Sequence, residues 1–226
     1  MESEVENGAA RMAIEVVSDA VCPWCFVGRR RLEEALARTG ETTIDVHWRP
    51  FQLDPTIPSE GLDRRAYMRA KFRDDARLVE VHARLRALGS EVGIAFDFDA
   101  IKRSPNTLDA HRLIRWAGVA GVQDAVVERL FSDYFELGRD IGDRRALIEA
   151  ATDCGLDAEA VERGFAGEAD VGAVRAEIAE AQAIGVTGVP FFIFASRFAV
   201  SGAQSAEVIA RAIEQARTAG ERVEVA

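Results

Sequence analysis

The sequence predicts an α/β fold in which a small sheet is built from the two ends of the chain and helices fill its middle. Three observations carry this. A strand–helix–strand pattern opens the chain, helical apolar spacing dominates residues 63–185, and two short apolar runs at 191–194 and 198–200 follow.

The elements follow in order. Residues 12–17 are apolar and β-rich, which suits a strand. After a turn at Ser18 and Asp19 the spacing becomes helical. Phe26, Leu32, Ala35 and Leu36 form an intermittent apolar stripe among Arg29, Arg30, Arg31, Glu33 and Glu34, and Gly40 is placed to stop it. Residues 43–48 alternate, with Ile44, Val46 and Trp48 on one face and Asp45 and His47 on the other. They predict a second strand, parallel to the first. Pro50, Pro55 and Pro58, with Asp54 and Ser59 beside them, mark a linker over 51–61. Helical signals then cover 67–88, 108–116, 126–135, 147–152 and 158–165. Asn106 ahead of Asp109, and Asp157 after Gly155, suit helix starts. The strands 191–194 and 198–200 flank a polar Ser196-Arg197 turn, and a last helix is expected from Ser205 to about Ala216.

This order is that of a thioredoxin-like fold with a helical domain inserted in its middle. The expected division is 12–60 and 185–218 for the two parts of the thioredoxin-like domain. A helical insert with a return helix occupies 61–184, and 1–11 and 219–226 are expected as flexible ends.

With 226 residues, 48% of them hydrophobic, the chain can bury a sizeable core. Its net charge of −10 argues against nucleic acid as a partner, because that binding depends on Lys and Arg displacing counterions. Residues 1–11 show no basic start, no apolar stretch of signal-peptide length and no small-residue cleavage pattern. No apolar run approaches the roughly 20 residues a membrane helix needs. A cytoplasmic protein without a membrane partner is expected. Three cysteines are too few for a disulfide-stapled scaffold, so a close pair in a reducing compartment points to catalysis or metal.

Cys22-Pro23-Trp24-Cys25 is such a pair, at the start of a helix that follows a strand. Unpaired N–H groups and the helix dipole stabilise an anion there, which makes Cys22 the expected nucleophile. Cys25, one turn on, can close a disulfide with it while pointing into the domain, and is the expected resolving thiol. Pro23 suits the first helical turn. The plainer alternatives are two inert buried thiols and a zinc half-site. Zinc needs two further ligands, whereas Cys154 stands alone and His47, His82 and His111 are isolated, so no metal is expected. No G-x-G-x-x-G, P-loop, G-x-S-x-G or H-E-x-x-H occurs, which leaves nucleotide and hydrolase chemistry without an anchor.

Thr187-Gly188-Val189-Pro190 precedes the 191–194 strand, and a proline opening a strand is unremarkable in itself. Together with the strand and the C-P-x-C helix start, however, this distant G-V-P resembles the DsbA-like branch of the thioredoxin superfamily. Ser18-Asp19 before the cysteines, Trp48-Arg49-Pro50-Phe51-Gln52-Leu53, Ser104-Pro105-Asn106-Thr107 with Ala110-His111-Arg112, and Gly202-Ala203-Gln204 narrow it to FrnE-type oxidoreductases. The resemblance covers Ala13 to about Ala216. It implies a thiol–disulfide oxidoreductase working through a mixed disulfide, with a cis Pro190 facing the dithiol and the Val189 backbone pairing an extended substrate segment. Substrate would also touch Pro23 and Trp24. Expected partners are thiol- or disulfide-containing proteins or small molecules. No tightly bound cofactor is expected, and glutathione is a suitable thiol co-substrate.

The same fold serves 2-hydroxychromene-2-carboxylate isomerases and kappa-class glutathione transferases, which carry no such dithiol. A glutathione-dependent isomerase or transferase, and a non-catalytic chaperone-like peptide-binding module, are the alternatives. One departure concerns the proton of the resolving thiol: thioredoxin and DsbA carry a buried acid six residues before the nucleophile, and here that residue is Val16. Asp19 or Glu15 could substitute, although Asp19 also fits a loop cap. Asn106 and His111 fall on one predicted helix that the resemblance brings near the dithiol, the plainer reading of His111 being an ordinary satisfied histidine. Trp48 and Trp116 read as core, and Cys154 as a buried small residue.

Overall fold

The computed structural model describes residues 12–40, 44–72 and 74–221. Thr43, expected to begin the second strand, and the stretches 1–11 and 222–226, expected within the flexible ends, lie outside the described residues.

Strand β1 (Met12–Ser18) turns into helix α1 (Pro23–Thr39), which returns to β2 (Ile44–Pro50), parallel to β1 with Val16 opposite Trp48. Gly40 ends α1 at φ 66, a left-handed conformation that suits glycine. Trp48 is buried and His47 exposed, as the alternation requires. Pro50 closes the strand opposite Ser18, and the linker begins after it.

The block that follows is not purely helical. β3 (Leu62–Asp63) leads into α2 (Arg64–Phe72) and α3 (Asp75–Glu91), and β4 (Arg103–Ser104) then pairs antiparallel with β3. Two-residue strands are too short to show an alternating pattern. The single helix expected over 67–88 is thus two helices. Asp74 separates them, its carboxylate accepting from the Ala76 N–H at 2.9 Å, so a cap overrides continuous apolar spacing.

Helices α4 (Leu108–Val119), α5 (Gln123–Phe135), α6 (Arg144–Asp153), α7 (Ala158–Ala166) and α8 (Val171–Ala183) complete the block. Asp157 caps α7 by accepting from the Ala160 N–H at 2.7 Å. Asn106 stands before α4 rather than on it: Thr107 holds the cap position, and Asn106 Oδ1 accepts from the Leu108 N–H at 2.9 Å. The chain then returns through β5 (Phe191–Phe194) and β6 (Phe198–Ser201) to α9 (Ala206–Glu221). The hairpin turn sits one residue earlier than expected, with Ala195 and Ser196 at φ 50 and 54. Helix α9 runs to Glu221, into the stretch expected as a flexible end.

The main sheet has the order β2-β1-β5-β6, with β5 antiparallel to both its neighbours. Ile14 and Val16 look towards α1 and join a core that continues unbroken into the helical block. Phe26 of α1 stacks on Phe131 of α5 at 5.1 Å and packs edge-on against Phe96. Val17 looks the other way, onto Phe51, Ala181 and Val186. Trp48 is core, with its indole N–H donating to Asp124 at 3.1 Å. Trp116 is only half-buried, against Phe165, and donates to Asp170 at 2.7 Å. Among the described residues, no helix is long and apolar enough to cross a membrane.

Candidate active site

The turn after β1 decides where the first cysteine stands. The Cys22 N–H donates to the Asp19 carbonyl at 2.9 Å, and Cys22 occupies the extended cap position of α1 with Pro23 first in the helix. No side chain caps this end, and the Cys25 N–H donates to the Cys22 carbonyl at 3.0 Å. From the other end of the chain, the Val189 carbonyl comes within 3.5 Å of Cys22 Sγ. The Val189–Pro190 peptide bond is cis. This approach depends on Gly28, where a Cβ would lie 2.9 Å from Pro190 Cγ and 3.2 Å from a ring carbon of Phe192. With hydrogen there instead, α1 rests directly on the start of β5.

Both thiols are free and buried, Cys22 at 3% exposure and Cys25 at 0%. Burial pushes the Cys25 thiol well above its ordinary value, and the neighbouring Cys22 sulfur raises it further by hydrogen bonding and charge. The Ser18 hydroxyl and the Asp19 backbone pull the other way. The two therefore differ in kind: Cys22 borders a cavity, and Cys25 is sealed behind it.

The two acids weighed for the proton separate clearly. Glu15 pairs with Arg49 at 2.7 Å, and Arg49 also reaches Glu180, on the face of the sheet that carries α8. Asp19 lies beside the dithiol at 1% exposure, accepting from the Leu53 N–H at 2.8 Å and standing 3.4 Å from His111 Nε2. His111 Nε2 is also 2.8 Å from the Phe51 carbonyl; since a carbonyl only accepts, that nitrogen carries a proton. Asn106 donates to the Ile57 carbonyl at 2.6 Å and accepts from Gln52 at 3.1 Å. His111 and Asn106 thus fasten the 51–61 loop, and Asp19 joins that loop to the turn before Cys22.

A cavity of about 290 Å³ opens over Cys22. Cys22, Pro23, Trp24 and Val189 form one side, and Arg64, Tyr67 and His82 from α2 and α3 face them. Burial and the carboxylate of Asp54 push Tyr67 up to about 12, and burial does the same to Tyr134. Burial lowers His82, with Arg64 and Arg86 adding to it, and its ring stacks on Phe98 at 4.2 Å. Trp24 lies under the Arg84 guanidinium at 5.6 Å. Sequence reasoning passed over Arg64, Tyr67, His82 and Tyr134 as cavity groups, because no motif marks them. Cys154 is half-buried at the end of α6, far from any pairing with the other two thiols in sequence, and burial raises it. Among the described residues, no cluster of three or more His, Cys, Asp or Glu could hold a metal.

The chain has clear relatives. It is 27% identical over 201 residues to YwbO, an uncharacterized protein of Bacillus subtilis (strain 168), covering 88% of this chain and 94% of that one. It is similar to the crystal structure of a probable DsbA oxidoreductase from Streptomyces coelicolor, with 34% identity, a TM-score of 0.84, and 92% and 90% of the two chains covered. A 2-hydroxychromene-2-carboxylate isomerase shares the fold at 13% identity and a TM-score of 0.68, with 95% and 99% covered. The family model described as the DSBA-like thioredoxin domain matches residues 13–214, and this protein belongs to that family.

Proposed function

We propose that the protein is a thiol–disulfide oxidoreductase of the FrnE type, with Cys22 as nucleophile and Cys25 as resolving thiol. The observation that carries this is the asymmetry of the pair: one sulfur borders a cavity, and the other is wholly enclosed one turn behind it.

In the reducing direction the Cys22 thiolate attacks a substrate disulfide, forming a Cys22–substrate disulfide and releasing one substrate thiolate, which takes up a proton. Cys25 gives up its proton and attacks Cys22 sulfur, closing the Cys22–Cys25 disulfide and releasing the second substrate thiol. The substrate gains two electrons and the enzyme loses two; two glutathione thiols restore the dithiol and leave as glutathione disulfide. Run backwards, the same steps oxidise a dithiol. In the absence of an acid at Val16, we assign the Cys25 proton to Asp19, buried in the turn before Cys22, and to the Ser18 hydroxyl, which hydrogen-bonds to the Cys25 thiol. Val189 and Pro190 position the substrate sulfur opposite Cys22, with Pro23 and Trp24 beside it. A reducing cytoplasm, which keeps glutathione available, is the setting we propose.

Cys25→Ser removes the exit from the mixed disulfide. The variant is expected to accumulate dithiothreitol-sensitive adducts on Cys22, and Cys22→Ser none. Mass spectrometry of protein from reducing-agent-free lysate under oxidative challenge reads both. A glutathione-dependent isomerase or a chaperone-like module would hold its ligand without a covalent bond to the protein. Absence of any adduct on Cys22 in Cys25→Ser would end the dithiol reading.

A further inference from the structure

The cavity says more about the substrate than the dithiol does. Cys22 is 3% exposed and borders the cavity, so a disulfide reaches its sulfur by entering that space. About 290 Å³ is near the lower end of small-ligand pockets, which begin at roughly 300 Å³. It is about twice the cavity of roughly 150 Å³ that takes up benzene. An extended polypeptide would bring backbone and flanking side chains along with its sulfur.

The walls describe a ligand. Trp24, Tyr67, Tyr134 and the stacked pair His82–Phe98 supply flat surfaces, with Met68 and Leu85 between them. Arg64 supplies charge. It is half-buried, its guanidinium 5.9 Å from the Tyr134 ring, and it hydrogen-bonds to neutral hydroxyls: Tyr134 at 3.3 Å and Ser104 at 3.5 Å. Among the described residues no carboxylate pairs with it. The acids that border the cavity are already engaged, Asp54 by Thr56 and Tyr67, and Asp19 by the Leu53 N–H. Lys71 is exposed and donates to the Tyr67 hydroxyl at 3.3 Å. A half-buried guanidinium with only neutral partners gains most from an arriving anion, because charge-assisted bonds are about twice as strong as neutral ones.

We infer that the substrate is a small disulfide whose attacked half carries a flat apolar body and one anionic group, which it seats on Arg64 while its sulfur meets Cys22. This rests on the dithiol reading above. The redox step is the one already written, with the released half leaving as a thiol.

The test uses the reduced full-length protein and three disulfides: that of meta-mercaptobenzoate, its uncharged benzamide counterpart, and insulin. Stopped-flow rates for the two aryl disulfides are normalised to their rates with dithiothreitol. The expected result is a preference for the carboxylate over the amide of about tenfold or more, the size of one charge-assisted hydrogen bond. In Arg64→Gln that ratio should fall close to one, and Arg64→Lys should keep part of it. Insulin should be reduced more slowly than the aryl carboxylate. Equal normalised rates for the two aryl disulfides, an undiminished ratio in folded Arg64→Gln, or faster reduction of insulin would each overturn the assignment. Should Arg64→Gln fail to fold, Arg64→Lys decides, an undiminished carboxylate-to-amide ratio being fatal. Cys22→Ser reports separately: if it still reduces these disulfides, the dithiol reading itself falls, whatever the preference.

Discussion

The two sides of the cavity are built differently. Helix α1, which carries the dithiol, buries Cys25, Phe26, Val27, Gly28, Arg29, Leu32 and Ala35, and its active end is tied down by backbone bonds to the turn before it. Helix α2, directly across the cavity, buries Met68 alone. Helix α3 buries Leu85 and Gly89. Reacting sulfurs therefore sit on a wall anchored in the core, and Arg64, Tyr67 and His82 sit on a wall anchored lightly. Regions with few buried apolar contacts open at lower free energy than the core does. The chemistry is held fixed, and access and selectivity are left to the part of the molecule that can give way.

The largest expected consequence is in stability. Phe26→Ala, in the stack with Phe131 and Phe135, should cost about 3–5 kcal/mol in denaturant unfolding. Val79→Ala on α3, at 67% exposure, should stay within about 0.5 kcal/mol. Similar losses at the two sites would erase the distinction between the walls.

A pH dependence of intermediate size sharpens it. Because burial raises the Cys25 thiol, the folded protein keeps that proton at a pH where the unfolded chain has lost it. The resulting stability is fully present below about pH 8.5 and is lost as pH rises through the folded value. Reduced protein should lose stability more steeply than Cys25→Ala as pH rises from roughly 7 to 10. Tyr67 and Tyr134, both raised to about 12, are common to the two proteins and act at higher pH. A slope that is the same in Cys25→Ala would mean that the enclosed thiol is not its source.

The smallest effect concerns the lightly anchored wall. Asp74→Ala removes the α3 cap and should cost about 1 kcal/mol, seen as faster amide exchange in α3 with α1 unchanged. Equal acceleration in α1 would show that the walls open together.

The same contrast explains what the sequence made legible. Where a single residue dictates the backbone, the signal was readable: Pro23 at the start of α1, Gly40 at its end, Asp157 capping α7. Where a cap interrupts continuous apolar spacing, as at Asp74, periodicity ran past the boundary. The short β3–β4 pair left no pattern to read, having only two residues a side. In the site, Cys22, Cys25, Val189 and Pro190 stood out through motifs, and the structure brings the two segments together. Asn106 and His111 could be placed near the dithiol only through resemblance, and their contacts run through the 51–61 loop. Arg64, Tyr67, His82 and Tyr134 meet because residues of α2, α3 and α5 line one cavity at the start of α1, a convergence that no local spacing encodes.

The strand order carries a consequence for incomplete chains. Cys22 and Val189 are 167 residues apart, and β1 is completed on one side by β2, made early, and on the other by β5, made late. During synthesis, both cysteines emerge long before the strand that pairs Val16 with Phe192. A chain ending before Val189 would carry the dithiol without its facing carbonyl and would leave the central strand with an unpaired edge. Such an edge is a template for a strand from another molecule. Premature termination before Val189 should therefore yield protein that cross-links through Cys22 and associates through β1.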